Sequence, residues 1–524
     1  MKLSTLRNVL RRSESGLFLL ERKWPYLLAL LSLLFLAVTV VLDSKRPLWN
    51  DELFTFYISQ QPTLHDVWKT LLTGAEQLPL FFFVVTRMFT ALFGANAIAL
   101  RLPETIGFLV MNICTFLFVR KRVPPAYGLV AFIFPALTTA YYFAYEARPY
   151  GVVMGFCGLA MLSWQNAAEG RKRPLSVLGT AIFLACAINS HYYAVLLLIP
   201  FGIAELVRYF ETRRFDWALY FASAASVVPL VFSLPVIRAA STYSSHFWAK
   251  PSWTSIISFY ENLVLPTGLA LILVAIVSGF AISRRLEEDG FEGTRESWAP
   301  AREFALAFGF ILQPVVAVCL AKFVTGAFTT RYVITSVIGV TLLLTWSLAR
   351  IGENRRVLGF VLAGVTVGCW TILAARQYQQ FVWNGMTEKM TFKFLSAASS
   401  ELPVVIASPH QFFVQSRVAA HQGRGHFTYL ADVPLALKYT ETDTVERGLL
   451  ALKNYAPLDV QDYRSFIASH PKFLVYGFPD PFGWVLQDSM QSSRQISVKD
   501  RNGDSLLYLV DCSSSPAASA GSSR

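Results

Sequence analysis

Charge is scarce in this chain of 524 residues: Asp, Glu, Lys and Arg make up 15% of it, against roughly a quarter of an average soluble domain. Hydrophobic residues make up 54%. A chain so poor in charge and rich in apolar side chains excludes intrinsic disorder and a fibrous protein. Cysteine is also rare. Of the six, Cys114, Cys157, Cys186, Cys319 and Cys369 sit inside apolar runs and only Cys512 lies in a polar setting, which excludes a disulfide framework and any zinc-finger spacing. No internal repeat is visible, so the inverted-repeat signature of many transporters is missing.

What the chain has instead is apolar runs close to the length that crosses about 30 Å of hydrocarbon. Candidate spans fall near 25–42, 102–119, 125–142, 149–165, 175–190, 192–210, 217–237, 263–283, 303–321, 332–349 and 357–375. The first follows a basic stretch, as a signal peptide would, but no small-residue cleavage site comes after it, and it reads as a retained helix. A further run at 79–94, PLFFFVVTRMFTALFG, is short and carries Arg87 in its middle, which suits an interfacial or re-entrant helix.

The net charge of +12 would point to nucleic acid in a soluble protein. Here the basic residues gather in short clusters between apolar runs, where they set topology, and no nucleic-acid partner is expected. With the amino terminus inside and 79–94 not crossing, the cytoplasmic segments hold 21 Lys or Arg in about 70 residues, and the outer segments before the tail hold 10 in about 101. If 79–94 crossed, every later loop would change sides and the bias would reverse. The expected architecture is therefore an all-α multi-pass membrane protein with about 11 transmembrane helices. A cytoplasmic segment 1–24 precedes a transmembrane domain 25–375, whose long outer loop is 43–101. The tail beyond it lies outside. LPVVIAS, FTYLAD and KFLVYG read as strands, helices are expected around 409–421, 443–455 and 459–470, and Asn502-Gly503 turns a hairpin between QISVKD and SLLYLV. These give a small extracytoplasmic α/β domain over 376–512, with a Ser/Ala-rich disordered end at 513–524.

The ionisable residues that remain are few enough to weigh singly. Asp51 and Glu52 follow the first span in RPLWNDELF; partly desolvated carboxylates there can act as a general base or hold a divalent cation, while a plain helix start explains them equally. Glu146 and Arg148 stand in the aromatic YYFAYEARPYG at the outer end of the third span, and a structural ion pair is the alternative there. Glu76 opens the interfacial run, Arg101 in ALRLPE approaches the second span, and Arg331 with Tyr332 begins the tenth. A guanidinium at Arg331 can bind a lipid phosphate bidentately or simply snorkel to the interface. His191 and, in the second outer loop around 238–262, Lys250 also lie on the outer side. The Lys/Arg count fixed the topology, yet these carboxylates and cations all emerge on one face. Such a face serves a reaction between a membrane-embedded phospholipid donor and an extracytoplasmic acceptor.

WNDELF after the first span, the Pro-led LPLFFF, ALRLPE, YEARPYG about 95 residues after the acidic pair, and a late Arg-Tyr resemble the GT-C glycosyltransferases with a family 39-like core. That group includes the protein O-mannosyltransferases, the lipid A aminoarabinose transferases and the rhizobial lipopolysaccharide galacturonosyltransferases. The resemblance covers residues 25 to about 350. It implies a GT-C fold and inverting transfer of a sugar from a polyprenyl-phosphate donor to an extracytoplasmic lipid, glycan or protein, in an inner membrane. By position Asp51 matches the family's catalytic acid in the first outer loop, with Glu52 and Glu146 beside it in the catalytic set. Arg148, Arg331 and Lys250 are expected on the donor phosphate. Glu76, Tyr332 and His191 are expected to orient the acceptor or a cation. Any divalent cation, Mg or Mn, would fall to Asp51 and Glu146. Where many members carry His-Pro-Pro after the acidic residue, this chain reads Gln77, Leu78, Pro79 and Leu80, so the histidine is missing. The tail resembles no identified domain. The competing readings are a lipid-linked glycan flippase, or a receptor whose outer domain does the binding.

Overall fold

A computed structural model describes residues 20–243, 246–263, 299–477, 483–492 and 494–513. Seven of the described helices are long and apolar enough to cross a membrane: Trp24–Lys45, Ala97–Val119, Arg173–Ser190, Tyr192–Thr212, Trp217–Ser241, Ala301–Thr325 and Arg356–Ala398. Three more expected spans are helical but shorter or less apolar. Residues 125–142 break into Pro125–Ile133 followed by the 3-10 turns Phe134–Leu137 and Thr139–Ala144; Pro135 lacks the amide that would continue the α-helix. The others are Tyr150–Ala168 and Ser336–Ile351. The expected span at 263–283 lies almost wholly outside the described residues. The interfacial run forms Leu80–Phe93, which at 1.5 Å per residue is about 21 Å long and falls short of the hydrocarbon thickness.

Of the described residues, those within 1–44, 78–234 and 251–379 form one compact unit, and those within 45–77, 235–250 and 380–524 form the other. In the first, helices Ala97–Val119 and Tyr150–Ala168 cross at backbone contact. A Cβ placed on Gly107 would stand 2.4 Å from the Gly151 carbonyl oxygen, and one on Gly155 would stand 2.6 Å from that of Gly107. Only small residues permit such an approach between helices in lipid. Gly151 itself would meet the Glu104 carbonyl oxygen at 2.5 Å. Gly151→Val is therefore expected to destabilise the first unit by about 1–3 kcal/mol through overpacking. The check is thermal unfolding in nanodiscs, where a melting temperature equal to wild type would refute it.

Basic clusters in this unit are tied by ion pairs. Arg122 forks onto Glu303 at 3.1 and 3.2 Å from its Nε, and Lys121 reaches Glu169 at 3.0 Å. Arg173 holds Asp216 at 2.6 Å, while Arg208 pairs with both Asp216 and Glu205.

The second unit carries a six-stranded sheet, β1 Val404–Ile406, β2 Phe427–Ala431, β3 Asp459–Asp462, β4 Lys472–Gly477, β5 Gln495–Asn502 and β6 Ser505–Asp511, in the order β3-β2-β1-β4-β6-β5. The first four pair in parallel, and β6 joins β4 and β5 antiparallel. Central β1 is wholly apolar and buried, as a parallel strand covered on both faces must be. Edge strand β5 carries Lys499, Asp500 and Arg501, charges that discourage further pairing. Five strands were expected; β3 occupies the start of the helix expected at 459–470, which begins instead at Tyr463. Asp462 ends β3 and also caps that helix, accepting the Ser465 amide at 2.8 Å.

Candidate active site

In the first unit, the loop Glu146–Ala147–Arg148 is held from both sides by one turn of helix Ala97–Val119. Thr105 donates to the Ala144 carbonyl at 2.8 Å and to an Asp43 carboxylate oxygen at 3.0 Å. Arg101, fully buried, donates to the Asp43 backbone carbonyl at 2.9 Å. Glu104 accepts the Val152 amide at 2.8 Å, and also the Gly151 amide. This matters because helix Tyr150–Ala168 starts after Pro149, whose side chain offers no cap, so Glu104 satisfies the amides of its first turn. The loop between these anchors turns tightly, Arg148 N donating to the Glu146 carbonyl and Tyr150 N to the Arg148 carbonyl, both at 2.7 Å. Glu146 and Arg148 are buried. Sequence reasoning singled out Arg101 in ALRLPE but not Glu104 or Thr105. Their spacing three and four residues on, along one helix face, was the available signal.

Arg148 and Arg331 converge on His191. The imidazole lies 5.3 Å from the Tyr150 ring and 5.0 Å from that of Tyr332, and the Arg331 guanidinium stands 6.0 Å over Tyr150. Tyr332 also packs on Tyr193 at 4.5 Å. Burial, with the Arg148 and Arg331 charges added, pushes the His191 pKa down to about 3, so the ring is neutral at physiological pH. Its Nδ1 accepts the Tyr193 amide at 3.2 Å, which leaves the proton on Nε2. The result is a wall with two guanidiniums, one neutral N–H donor and tyrosine rings, chemistry that suits a phosphate.

In the second unit, Asp51 and Glu52 lie in the first turn of helix Asn50–Ser59. The two carboxylates divide their tasks. Glu52 is fully buried and reaches back to accept the Trp49 amide at 3.3 Å, which starts its own helix. Asp51 stays half-buried, with Asn50 Nδ2 donating to it at 3.4 Å. Glu76 is half-buried and accepts the Gln77 amide at 2.8 Å. Lys250 is exposed and faces Glu441 at 3.9 Å, a surface pair rather than a buried cation.

Among the described residues no group of three or more His, Cys, Asp or Glu side chains is gathered to hold a metal ion. The structure thus brings Glu146, Arg148, His191, Arg331 and Tyr332 into one unit and places Asp51, Glu52, Glu76 and Lys250 in the other.

Residues 77–238 match the family described as dolichyl-phosphate-mannose-protein mannosyltransferase. No curated protein matches the chain. Its structure is similar to the crystal structure of ArnT from Cupriavidus metallidurans in the apo state, with a TM-score of 0.55, 13% identity and coverage of 93% of this chain and 98% of that one. It is equally similar to the same protein bound to undecaprenyl phosphate, with a TM-score of 0.56 at the same identity and coverage. At that identity the likeness shows the fold, which is GT-C, and the motif-based resemblance to that family is borne out.

Proposed function

We propose that this GT-C chain is an inverting glycosyltransferase that moves a sugar from a polyprenyl-phosphate donor to an extracytoplasmic acceptor hydroxyl in the inner membrane, with its amino terminus cytoplasmic. The observation that carries the reading is the cluster in which the Arg331 guanidinium stands over the Tyr150 ring and the His191 ring lies against Tyr150 and Tyr332, with buried Arg148 two residues before Tyr150. Such a wall gains most when a phosphate is released with extra negative charge. That a protein of the same fold is seen with undecaprenyl phosphate supports the choice of lipid.

In this reaction Asp51 takes the proton of the acceptor hydroxyl as its oxygen attacks the anomeric carbon. The bond from that carbon to the phosphate oxygen breaks, and the electron pair leaves with the polyprenyl phosphate. Attack opposite the leaving group inverts the anomeric centre. Arg148 and Arg331 neutralise the phosphate as its charge grows, and the His191 Nε2–H donates to it. Glu146 orients the acceptor, and Glu52 shapes the helix that bears the base.

The test is mass spectrometry of envelope glycans and polyprenyl phosphates from a deletion strain. The expected result is loss of one sugar modification together with accumulation of its lipid-linked donor. An unchanged glycan profile and an unchanged donor pool would refute the proposal.

A further inference from the structure

Helix Asn50–Ser59 has ten residues, too few to hold itself in water. Its place is therefore set by what it packs against, and within its unit that is the α/β domain. The Phe54 ring lies 4.9 Å from that of Phe413 and the Tyr57 ring 6.1 Å from it. The Arg417 guanidinium sits 4.0 Å over the Phe56 ring. Phe413 and Arg417 both belong to helix Pro409–Gln422, which connects β1 to β2. On another side, Gly448 of helix Thr444–Leu452 faces Phe54 so closely that a Cβ there would stand 3.2 Å from the ring. Two residues beyond the helix, Gln61 donates to the Tyr455 carbonyl at 2.7 Å.

The platform is itself rigidly held. Glu446, two residues before Gly448, is buried and accepts from Trp484 Nε1 at 2.7 Å and from the Tyr429 hydroxyl at 2.9 Å. This helix and the residues leading into it gather the second outer loop: Thr442 donates to the His246 carbonyl at 2.7 Å and Arg447 to the Thr242 carbonyl at 2.8 Å. Tyr243 in turn donates to the Thr73 carbonyl at 3.4 Å. Two segments nearly 160 residues apart in sequence are thus fastened to one domain.

We infer that the carboxy-terminal α/β domain is the positioning frame of the reaction: Phe413, Arg417 and Gly448 fix helix Asn50–Ser59, and through it the Asp51 carboxylate. Asp51 lies one helical turn before Phe54, on the same face, so a displacement at Phe54 is carried directly to it. Phe413, Arg417 and Gly448 act through Phe54, Tyr57 and Phe56 and touch no substrate. The inference rests on the reading of Asp51 as the base.

The test compares Phe413→Ala, Arg417→Ala, Arg417→Lys and Gly448→Val with wild type, as full chains in nanodiscs. Three quantities are read: amide exchange, undecaprenyl phosphate affinity, and transfer from the lipid-linked donor extracted from the deletion strain. In Phe413→Ala, Arg417→Ala and Gly448→Val, exchange at residues 53–59 rises about tenfold or more, while that of β1 and β4 is unchanged. In the same three, kcat falls on the order of 10²-fold, because a misplacement of about 1 Å costs that much. Donor KM and undecaprenyl phosphate Kd stay within about twofold of wild type, as a positioning role requires. Arg417→Lys keeps the cation over Phe56 and retains most of the kcat. If Phe413→Ala also loosens β1 and β4, Gly448→Val and Arg417→Ala decide. Unchanged exchange at 53–59, or raised exchange with kcat unaltered, would overturn the inference. A wild-type chain that neither binds undecaprenyl phosphate nor transfers sugar would instead sink the glycosyltransferase reading, and the exchange data would still report on the frame.

Discussion

Replacing Asp51 by asparagine is expected to lower transfer by at least about 10²-fold, the usual worth of a general base, with expression and membrane insertion unaffected. The amide keeps the shape of the side chain and the half-buried place at the start of helix Asn50–Ser59, and loses only the ability to take a proton. Glu52 provides the contrast. Its carboxylate is fully buried and bonded to the Trp49 amide, so Glu52→Ala, which removes that acceptor, should weaken the helix start by roughly 0.5–2 kcal/mol and reduce activity through stability. The two variants separate in one experiment: Asp51→Asn melts like wild type and loses turnover, whereas Glu52→Ala melts early and keeps its rate per folded molecule. An Asp51→Asn enzyme retaining more than about a tenth of the wild-type rate would remove Asp51 as the base.

The division of labour between these neighbours shows where the sequence can and cannot be read. An acidic pair after an apolar run announces a helix start and a candidate base at once, and residue type alone does not say which carboxylate does which. Spans such as Trp24–Lys45 and Arg356–Ala398 are legible because hydrocarbon imposes length and composition on any crossing segment. Strands β1, β2 and β4 were readable as short apolar runs, while β3, with the sequence Asp-Val-Gln-Asp, carries a single buried apolar residue and owes its form to pairing with β2. Glu104 escaped notice because its partners, the amides of Gly151 and Val152, lie 47 and 48 residues away and are backbone groups. Lys250 was legible as a basic residue on the outer side, but nothing in its neighbours foretold that it would stand exposed beside Glu441. The attachment of residues 45–77 and 235–250 to the tail was hidden for the same reason: glycines such as Gly74 and Gly448 matter there for what comes close to them, and sequence does not record that.

Arg331 yields the second large effect, because its guanidinium adds to that of Arg148 at His191 and stands over Tyr150. A hydrogen bond from a charged group is worth roughly 1.5–3 kcal/mol, so Arg331→Ala should cost between about 10- and 150-fold in kcat/KM for the polyprenyl donor. Arg331→Lys keeps the charge but loses the planar fork that matches two phosphate oxygens, and should fall between alanine and wild type. Where the loss appears tells when the contact forms. A raised KM with kcat held means that the arginine already grips the phosphate of bound donor, and a lowered kcat means that it acts as charge develops on the leaving group. His191 supplies a control independent of turnover: with one of its two cationic neighbours removed, its depressed pKa must rise toward the ordinary value, though burial, the larger cause, still holds it below. The imidazole resonances of the alanine variant in nanodiscs report that shift directly. Alanine and wild-type enzymes sharing one donor KM and one kcat would mean that Arg331 only packs on Tyr150, and the anion-receiving role would pass to Arg148 alone.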